Sequence, residues 1–368
     1  MRSLLTAAAI SLAFTLLLTP VFLRLFRKWG WGQIIRTEAD GNVPAHEAKR
    51  GTPTMGGVIF IVGTVIGYFV GTYAGGFPPT VSGLLVLWMM VGFGIVGFID
   101  DYMKVRRQRS LGLTGWRKIF GQVLVTVPWA IVALQFPNTW DQTPASAHIS
   151  VFRDIDALSF MALGAFGILA YLLWITFIGV AWSNSTNVTD GLDGLATGIG
   201  IFTISALSLV TFWQYQQRCS AAELVAAYQS ACYQTRDPLD LTIVAAAFVG
   251  SLVGFLWWNA PRAQVFMGDV GSLAIGGVIA AMSILSRTEI VSILIAGAFI
   301  IGPGSVILQR LYFKATRGRR LFLNSPFHHH LEMRGWPEAT IVVRMWIIAA
   351  ILAVSGVGLF YVEWLSQT

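Results

Sequence analysis

Charge is what this sequence has least of. Only 12% of its 368 residues are Asp, Glu, Lys or Arg, while 55% are hydrophobic. A soluble domain carries about 25% charged residues. The apolar stretches also lack the alternating polar face that surface helices of a soluble α-protein show, which excludes that class. Cysteine is scarce as well. Cys219 and Cys232 are the only two, too few for a disulfide-built scaffold. No Walker pattern is present, so a phosphate-loop nucleotide hydrolase is excluded too.

What the chain has instead is a series of apolar runs of roughly 20 residues, the signature of transmembrane helices. Ten candidate spans follow one another at 4–26, 53–73, 82–99, 118–136, 159–181, 194–213, 240–257, 271–285, 290–312 and 341–364. The eighth is short and rich in glycine. The first could pass for a signal peptide, but "RLFRK" follows it like a stop-transfer flank and no small-residue cleavage site is evident. It reads as a retained helix. The expected fold is an all-α integral membrane protein, one polytopic domain over residues 1–368 with about ten transmembrane helices.

Charge then orients the chain. Ten spans divide the connections into two sets on opposite sides. Of the 25 Lys and Arg residues, all but Arg2, Arg153, Arg218, Arg236 and Arg287 belong to one set. The positive-inside rule places that set in the cytoplasm and both termini outside. The net charge of +7 is thus largely topology and requires no nucleic-acid partner. A basic inner face also attracts anionic lipids and anionic substrates. Both cysteines fall in an outside loop, where a disulfide and two free thiols are equally open readings.

Every compact polar motif lies on the inner side. The first loop contains "KRGTPTMGG", with Lys49 and Thr54. The second begins "FIDDYMKVRR", with Asp100 and Asp101, and runs to Lys118. The third is "NSTNVTDGLDG", with Asn187, Asp190 and Asp193. The fourth is "WNAPRAQVFMGDVGS", with Asn259 and Asp269. The fifth holds "SPFHHHLE", with His328, His329 and His330. Each motif alone has an ordinary explanation: a solvated carboxylate pair, or an Asx-rich turn capping a helix. All five sorted to one side do not, because carboxylates at a membrane boundary are costly and usually functional. Asn184-Ser-Thr and Asn187-Val-Thr match the glycosylation acceptor pattern, but this topology puts both on the wrong side for it.

If the inner loops converge, Asp100, Asp101, Asp190, Asp193 and Asp269 make an acidic cluster. Carboxylates with amide carbonyls suit Mg²⁺, which fills its shell with substrate phosphate and water. Zinc fits less well, since adjacent histidines cannot all face one ion and no cysteine lies on that side. The histidines, Lys49 and Lys118 suit donors to phosphate oxygens. The glycines of "GTPTMGG" and "GDVGS" let backbone approach phosphate ahead of helix starts. The spacing from Asp190 to Asp193 puts both carboxylates on one side if that segment is a helical turn. These residues describe a Mg²⁺-assisted site for phosphate esters at the cytoplasmic face, one substrate soluble and the other entering from the bilayer.

The motifs "GTPTMGG", "FIDDY", "TDGLDGLA", "FMGDVGSLAIGG" and "HHHLE", in this order and in alternate loops, resemble the phospho-N-acetylmuramoyl-pentapeptide transferases of the polyprenyl-phosphate N-acetylhexosamine-1-phosphate transferase superfamily. The resemblance runs from about residue 30 to 350. It implies transfer from UDP-N-acetylmuramoyl-pentapeptide to undecaprenyl phosphate, giving lipid I and UMP, the first membrane step of peptidoglycan synthesis. It also implies Mg²⁺, a ten-helix homodimer and the bacterial cytoplasmic (inner) membrane. By the same resemblance, Asp269 is a magnesium ligand that Asn187 helps, and Asp100, beside Asp101, deprotonates or orients the lipid phosphate. Lys49, Thr54, Asn187, Asp190, Asp193 and Asn259 match the nucleotide-sugar site. Lys118 matches a lysine near the phosphates, and His328, His329 and His330 a histidine cluster needed for activity.

Phosphate monoesters are already largely dianionic near neutral pH, their second pKa being about 6, so a general base contributes little. A nucleophilic aspartate is the rival mechanism. Pro303 stands in "IGPGSVI" where relatives often carry an acidic residue, and a break in the ninth span is expected there. Two other functions remain open. A transferase of N-acetylglucosamine-1-phosphate would use the same aspartates, though "HHHLE" and "GTPTMGG" argue against it. A transporter would place its ionisable groups near the bilayer midplane on broken helices.

Overall fold

A computed structural model describes residues 1–32, 51–107, 112–220 and 231–368. The helices are α1 (Arg2–Lys28), α2 (Gly57–Ala74), α3 (Val81–Arg107), α4 (Gly115–Ala133), α5 (Gly167–Thr189) and α6 (Leu195–Gln216). They continue with α7 (Pro238–Asn259), α8 (Gly268–Leu285), α9 (Val291–Ile295), α10 (Ala298–Ala315), α11 (Phe327–Met333) and α12 (Glu338–Gln367). A two-stranded antiparallel hairpin, β1 (His148–Ser150) and β2 (Asp154–Ser159), lies between α4 and α5. The protein is thus a helical membrane protein, with one small hairpin among the described residues.

All ten expected segments are helical, and eight helices among the described residues are long and apolar enough to cross a membrane. The two that fall short have visible reasons. Helix α4 opens with Arg117, Lys118 and Gln122. The ninth segment is broken at Ala296 and Gly297 into α9 and α10, and α10 ends in Gln309, Arg310 and Lys314. The break is not at Pro303, as expected, but before it, and α10 runs through the proline. A proline removes the N–H that would bond the carbonyl four residues back. Here that carbonyl, on Phe299, accepts Thr189 Oγ1 at 3.3 Å instead, tying α10 to the end of α5.

Small residues decide how closely the helices pack. Along α1, Ser3, Ala7, Ser11, Thr15 and Thr19 recur every fourth position and are buried. They face Gly67 and Gly71 of α2, where a Cβ would strike Ser11 and Ala7, and Gly250 and Gly254 of α7, where it would strike Ala8 and Thr15. Lipid offers no hydrophobic drive between helices, so close backbone approach and dispersion hold them. The short, glycine-rich eighth span is the centre of the bundle: every residue of α8 from Val270 to Leu285 is buried. A Cβ at Gly276 would hit the Ser183 backbone of α5, and one at Gly277 would hit Met89 of α3. Close packing of α3, α5 and α8 sets the polar ends of these helices side by side.

The ends form two poles. At one, the segment after Gly51 exchanges backbone hydrogen bonds with the turn before α8: Phe266 N–H to Pro53 O at 2.8 Å and Gly56 N–H to Phe266 O at 2.9 Å. At the other, Asp240 of α7 accepts from Tyr68 Oη at 2.7 Å and from Thr80. There the hairpin bonds to the turn after α8, Ser150 N–H donating to Glu289 Oε2 at 3.0 Å. Cys219 and Cys232 are joined in a disulfide at that second pole, which resolves the open choice between bridge and free thiols.

Candidate active site

Asp100 and Asp101 end the apolar part of α3, and Asp269 begins α8. A Cβ at Gly97 would strike the Asp269 backbone, so only glycine lets the two helix ends come this close. The three carboxylates each offer an oxygen within 4.8 Å of the others. Two lysines bind them. Lys104 Nζ lies 2.6 Å from Asp100 Oδ2, 3.1 Å from Asp101 Oδ1 and 3.0 Å from Asp269 Oδ2. Lys118 Nζ lies 2.6 Å from Asp269 Oδ2 and 3.7 Å from Asp100 Oδ2.

Backbone and amide donors hold the remaining oxygens. Leu113 N–H donates to Asp100 Oδ1 at 2.7 Å, and Val270 N–H to Asp101 Oδ2 at 3.2 Å. Asn187 Nδ2 donates to Asp269 Oδ1 at 2.8 Å and to Ser272 Oγ at 2.9 Å. Asn187 therefore orients Asp269 through its amide nitrogen. Among the described residues, three carboxyl groups face two ammonium groups. Asp100 Oδ2 is buried and takes no directed hydrogen bond from the described residues despite the nearby Lys104. A set of hard carboxyl oxygens, one of them so placed, fits a hard divalent cation.

The third motif is an irregular turn, not a helical one: Asp190 to Gly194 separates α5 from α6, with Gly194 at φ 75°. The condition for Asp190 and Asp193 to share a helix face is not met. Burial, then the negative charges of Asp269 and Asp101, push the Asp190 carboxyl well above the usual carboxylate range. Asp193 is buried and turns elsewhere, accepting from Ala263 N–H at 3.0 Å.

Asn259 is buried and saturated within the fold. Its Oδ1 accepts Thr197 Oγ1 at 2.6 Å and its Nδ2 donates to Val265 O at 2.9 Å. It shapes the turn that delivers Asp269. Thr54 is buried, and a Cβ at neighbouring Gly268 would lie 3.2 Å from its Oγ1. Lys49 lies outside the described residues.

The histidines diverge. His328 is buried against Gly191, where any side chain would strike its ring. Burial, with His329 beside it, lowers its pKa to about 3, so the ring is neutral. Its Nε2 is buried with no hydrogen-bond partner among the described residues. His329 Nδ1 pairs with Glu332 Oε2 at 2.6 Å, and His330 Nδ1 accepts Leu323 N–H at 3.1 Å. Only His328 touches the carboxylate-bearing turn.

Sequence reasoning missed Lys104, Ser272 and Glu338. Lys104 was detectable: on a helix, a lysine four residues after Asp100 faces it. Ser272, one turn after Asp269 within "GDVGS", carried a weaker signal. Glu338, whose Oε1 accepts Asp193 N–H at 2.9 Å, gave none, because that contact joins residues far apart in the chain.

Comparison with known proteins identifies the family. Residues 83–287 match the Glycosyl transferase family 4 model, and residues 49–61 match the Phospho-N-acetylmuramoyl-pentapeptide-transferase signature 1. A phospho-N-acetylmuramoyl-pentapeptide-transferase of Clavibacter michiganensis is 54% identical over 376 aligned residues, covering all of both chains. That of Beutenbergia cavernae is 48% identical, covering 99% of each chain. That of Saccharopolyspora erythraea is 48% identical over all of this chain and 98% of the relative. With three carboxylates and two lysines gathered at one pole of a helical membrane bundle, and similarity running the full length of these relatives, the chain belongs to glycosyl transferase family 4, among its phospho-N-acetylmuramoyl-pentapeptide-transferases.

Proposed function

We propose that the protein transfers phospho-N-acetylmuramoyl-pentapeptide from its UDP-linked donor to undecaprenyl phosphate, at the cytoplasmic face of the bacterial inner membrane. An oxygen of the lipid phosphate forms a bond to the sugar-linked phosphorus of the donor. The bond from that phosphorus to the bridging oxygen breaks, and UMP leaves with the electron pair. The products are lipid I and UMP. The observation that carries this reading is the cluster of Asp100, Asp101 and Asp269 held by Lys104 and Lys118.

Phosphoryl transfer depends on positioning and charge neutralisation. Asp269, with Asp100 and Asp101, would hold Mg²⁺, which neutralises charge on the transferring phosphate. Asn187 keeps Asp269 turned inward from behind. Lys104 and Lys118 supply donors for phosphate oxygens. Asp100 already has one oxygen on Leu113 N–H and the other against Lys104. A carboxylate so held suits orienting the lipid phosphate beside the metal better than attacking phosphorus itself, which supports direct displacement. Asp190, Asp193 and the neutral His328 line the side that receives the nucleotide sugar, and Lys49 and Thr54 belong to the same site by resemblance. The homodimer is part of the same proposal.

The test is UMP release by purified protein in nanodiscs with undecaprenyl phosphate. The expected result is release with UDP-N-acetylmuramoyl-pentapeptide, lost without Mg²⁺ and in Asp269→Ala. Release with UDP-N-acetylglucosamine alone would move the protein to the sister activity. No release with either donor from a folded sample would overturn the reading.

A further inference from the structure

The turn from Asp190 to Gly194 starts α6 with no cap of its own. The N-cap position is Gly194, which has no side chain to accept the unpaired N–H groups of a helix start. The residue before it, Asp193, is held instead by an acceptor on another helix. Glu338, in the first turn of α12, places Oε1 2.9 Å from Asp193 N, and a carboxylate there is also favoured by the helix dipole. Two turns further along α12, Trp346 Nε1 donates to Gly194 O at 3.3 Å. The same indole fills the space above Gly198, where a Cβ would strike it. The last membrane helix therefore grips the turn at successive residues.

The constraint passes onward. Asp193 Oδ2 accepts Ala263 N–H, and Asn259 bonds both Thr197 and Val265. From the other side, His328 stands against Gly191.

We infer that Glu338 is a positioning residue for the donor half of the site: through Asp193 N–H it fixes the Asp190–Asp193 turn that receives the nucleotide sugar. The inference rests on the transferase reading above. It separates Glu338 from the lysine and carboxylate cluster that serves the phosphates. Loss of its acceptor loosens donor binding and leaves the lipid substrate's site alone. An amide oxygen at the same place accepts the same N–H, so glutamine replaces glutamate here.

The experiment is steady-state kinetics in nanodiscs, varying each substrate in turn. For Glu338→Ala the donor KM rises about tenfold, the size expected for one lost hydrogen bond to a charged group, while the undecaprenyl phosphate KM stays at its wild-type value. Glu338→Gln restores the donor KM. Trp346→Phe keeps an aromatic ring of smaller size, loses the N–H and raises the donor KM in the same direction by less. The inference is overturned by an unchanged donor KM in Glu338→Ala, by equal impairment in the alanine and glutamine variants, or by parallel rises in both KM values. Should Glu338→Ala fail to insert, Trp346→Phe decides: a donor-selective rise supports the inference and no rise overturns it. Wild-type turnover with the muramoyl donor checks the reaction separately. If the wild type uses the glucosamine donor instead, the same ratios are read with that donor.

Discussion

Lys118 Nζ lies 2.6 Å from Asp269 Oδ2, joining the start of α4 to the start of α8. The lysine that would meet phosphate and the carboxylate that would meet metal hold each other in the free protein. Substrate and cation together would release both, each charge finding a new partner.

Lys118→Ala removes a donor from a largely buried phosphate site and should lower kcat about a hundredfold, the scale of losing one preorganised donor. Lys118→Arg retains charge but presents a planar fork in place of a point charge, so it should recover only part of the rate. Single-turnover UMP release would check both. Wild-type kcat in Lys118→Ala would remove the lysine from the phosphate site.

The two aspartates of the turn should respond differently. Asp190→Ala and Asp193→Ala both impair turnover while the protein still inserts. Asp193 works through a hydrogen bond from Ala263 N–H, which an amide oxygen also accepts, so Asp193→Asn should keep much of the activity. Burial and the field of Asp269 and Asp101 push the Asp190 carboxyl up; a bound cation would offset that field and let it ionise, so Asp190→Asn, which cannot ionise, should not rescue. Comparable kcat/KM in the two asparagine variants would contradict this division.

Much of this site was legible from residue types and spacing. Asp100, Asp101, Asp269, Asn187 and Lys118 do meet, because membrane topology forces alternate loops to one pole and the charge asymmetry says which loops those are. Helix existence was legible for the same reason: an apolar run of span length has few other fates. The place of the break in the ninth span was not, since Pro303 lies inside α10 and the Phe299 carbonyl it leaves unpaired found Thr189. Nor was the inward saturation of Asn259, whose partners Thr197 and Val265 are set by how α6 and α7 pack. Motif spelling identifies polar residues at a site. It does not say which ones face the substrate and which hold the walls.

Gly191 provides a test of the histidine assignment. A Cβ there would collide with the His328 ring, which is buried among rigid neighbours and cannot step aside easily. Gly191→Ala should therefore depress turnover strongly by displacing His328 or the turn. Gly115→Ala, where a Cβ meets open space, should cost little. Equal activity in the two variants would show that His328 need not sit against the turn.

The disulfide lies at the pole opposite the carboxylates. Closing the segment from Cys219 to Cys232 is worth about 3 kcal/mol in the loop-entropy account. Cys219→Ser with Cys232→Ser should lower the unfolding temperature and leave kcat and both KM values unchanged. A loss of turnover at a temperature where the variant is folded would mean that the two poles are coupled.

Glu289 gives the pole opposite the carboxylates a distinct pH response. It is buried, accepts Ser150 N–H from the hairpin, and faces Arg287 and Asp154, with His148 near Asp154. Burial raises its pKa to about 8 from an ordinary 4.5, against the opposing pull of Arg287. The folded protein thus holds a proton on Glu289 between about pH 4.5 and 8 that the unfolded chain has released. Stability falls with rising pH wherever the folded state binds more protons. The contribution is fully present below about pH 4.5 and is lost as pH climbs through about 8. Glu289→Gln is neutral throughout and still accepts the Ser150 N–H. The difference in unfolding temperature between the variant and the wild type should widen from pH 5 to pH 9, in favour of the variant. A difference that stays flat across that range would show that Glu289 is ionised in the folded protein, its charge met by Arg287.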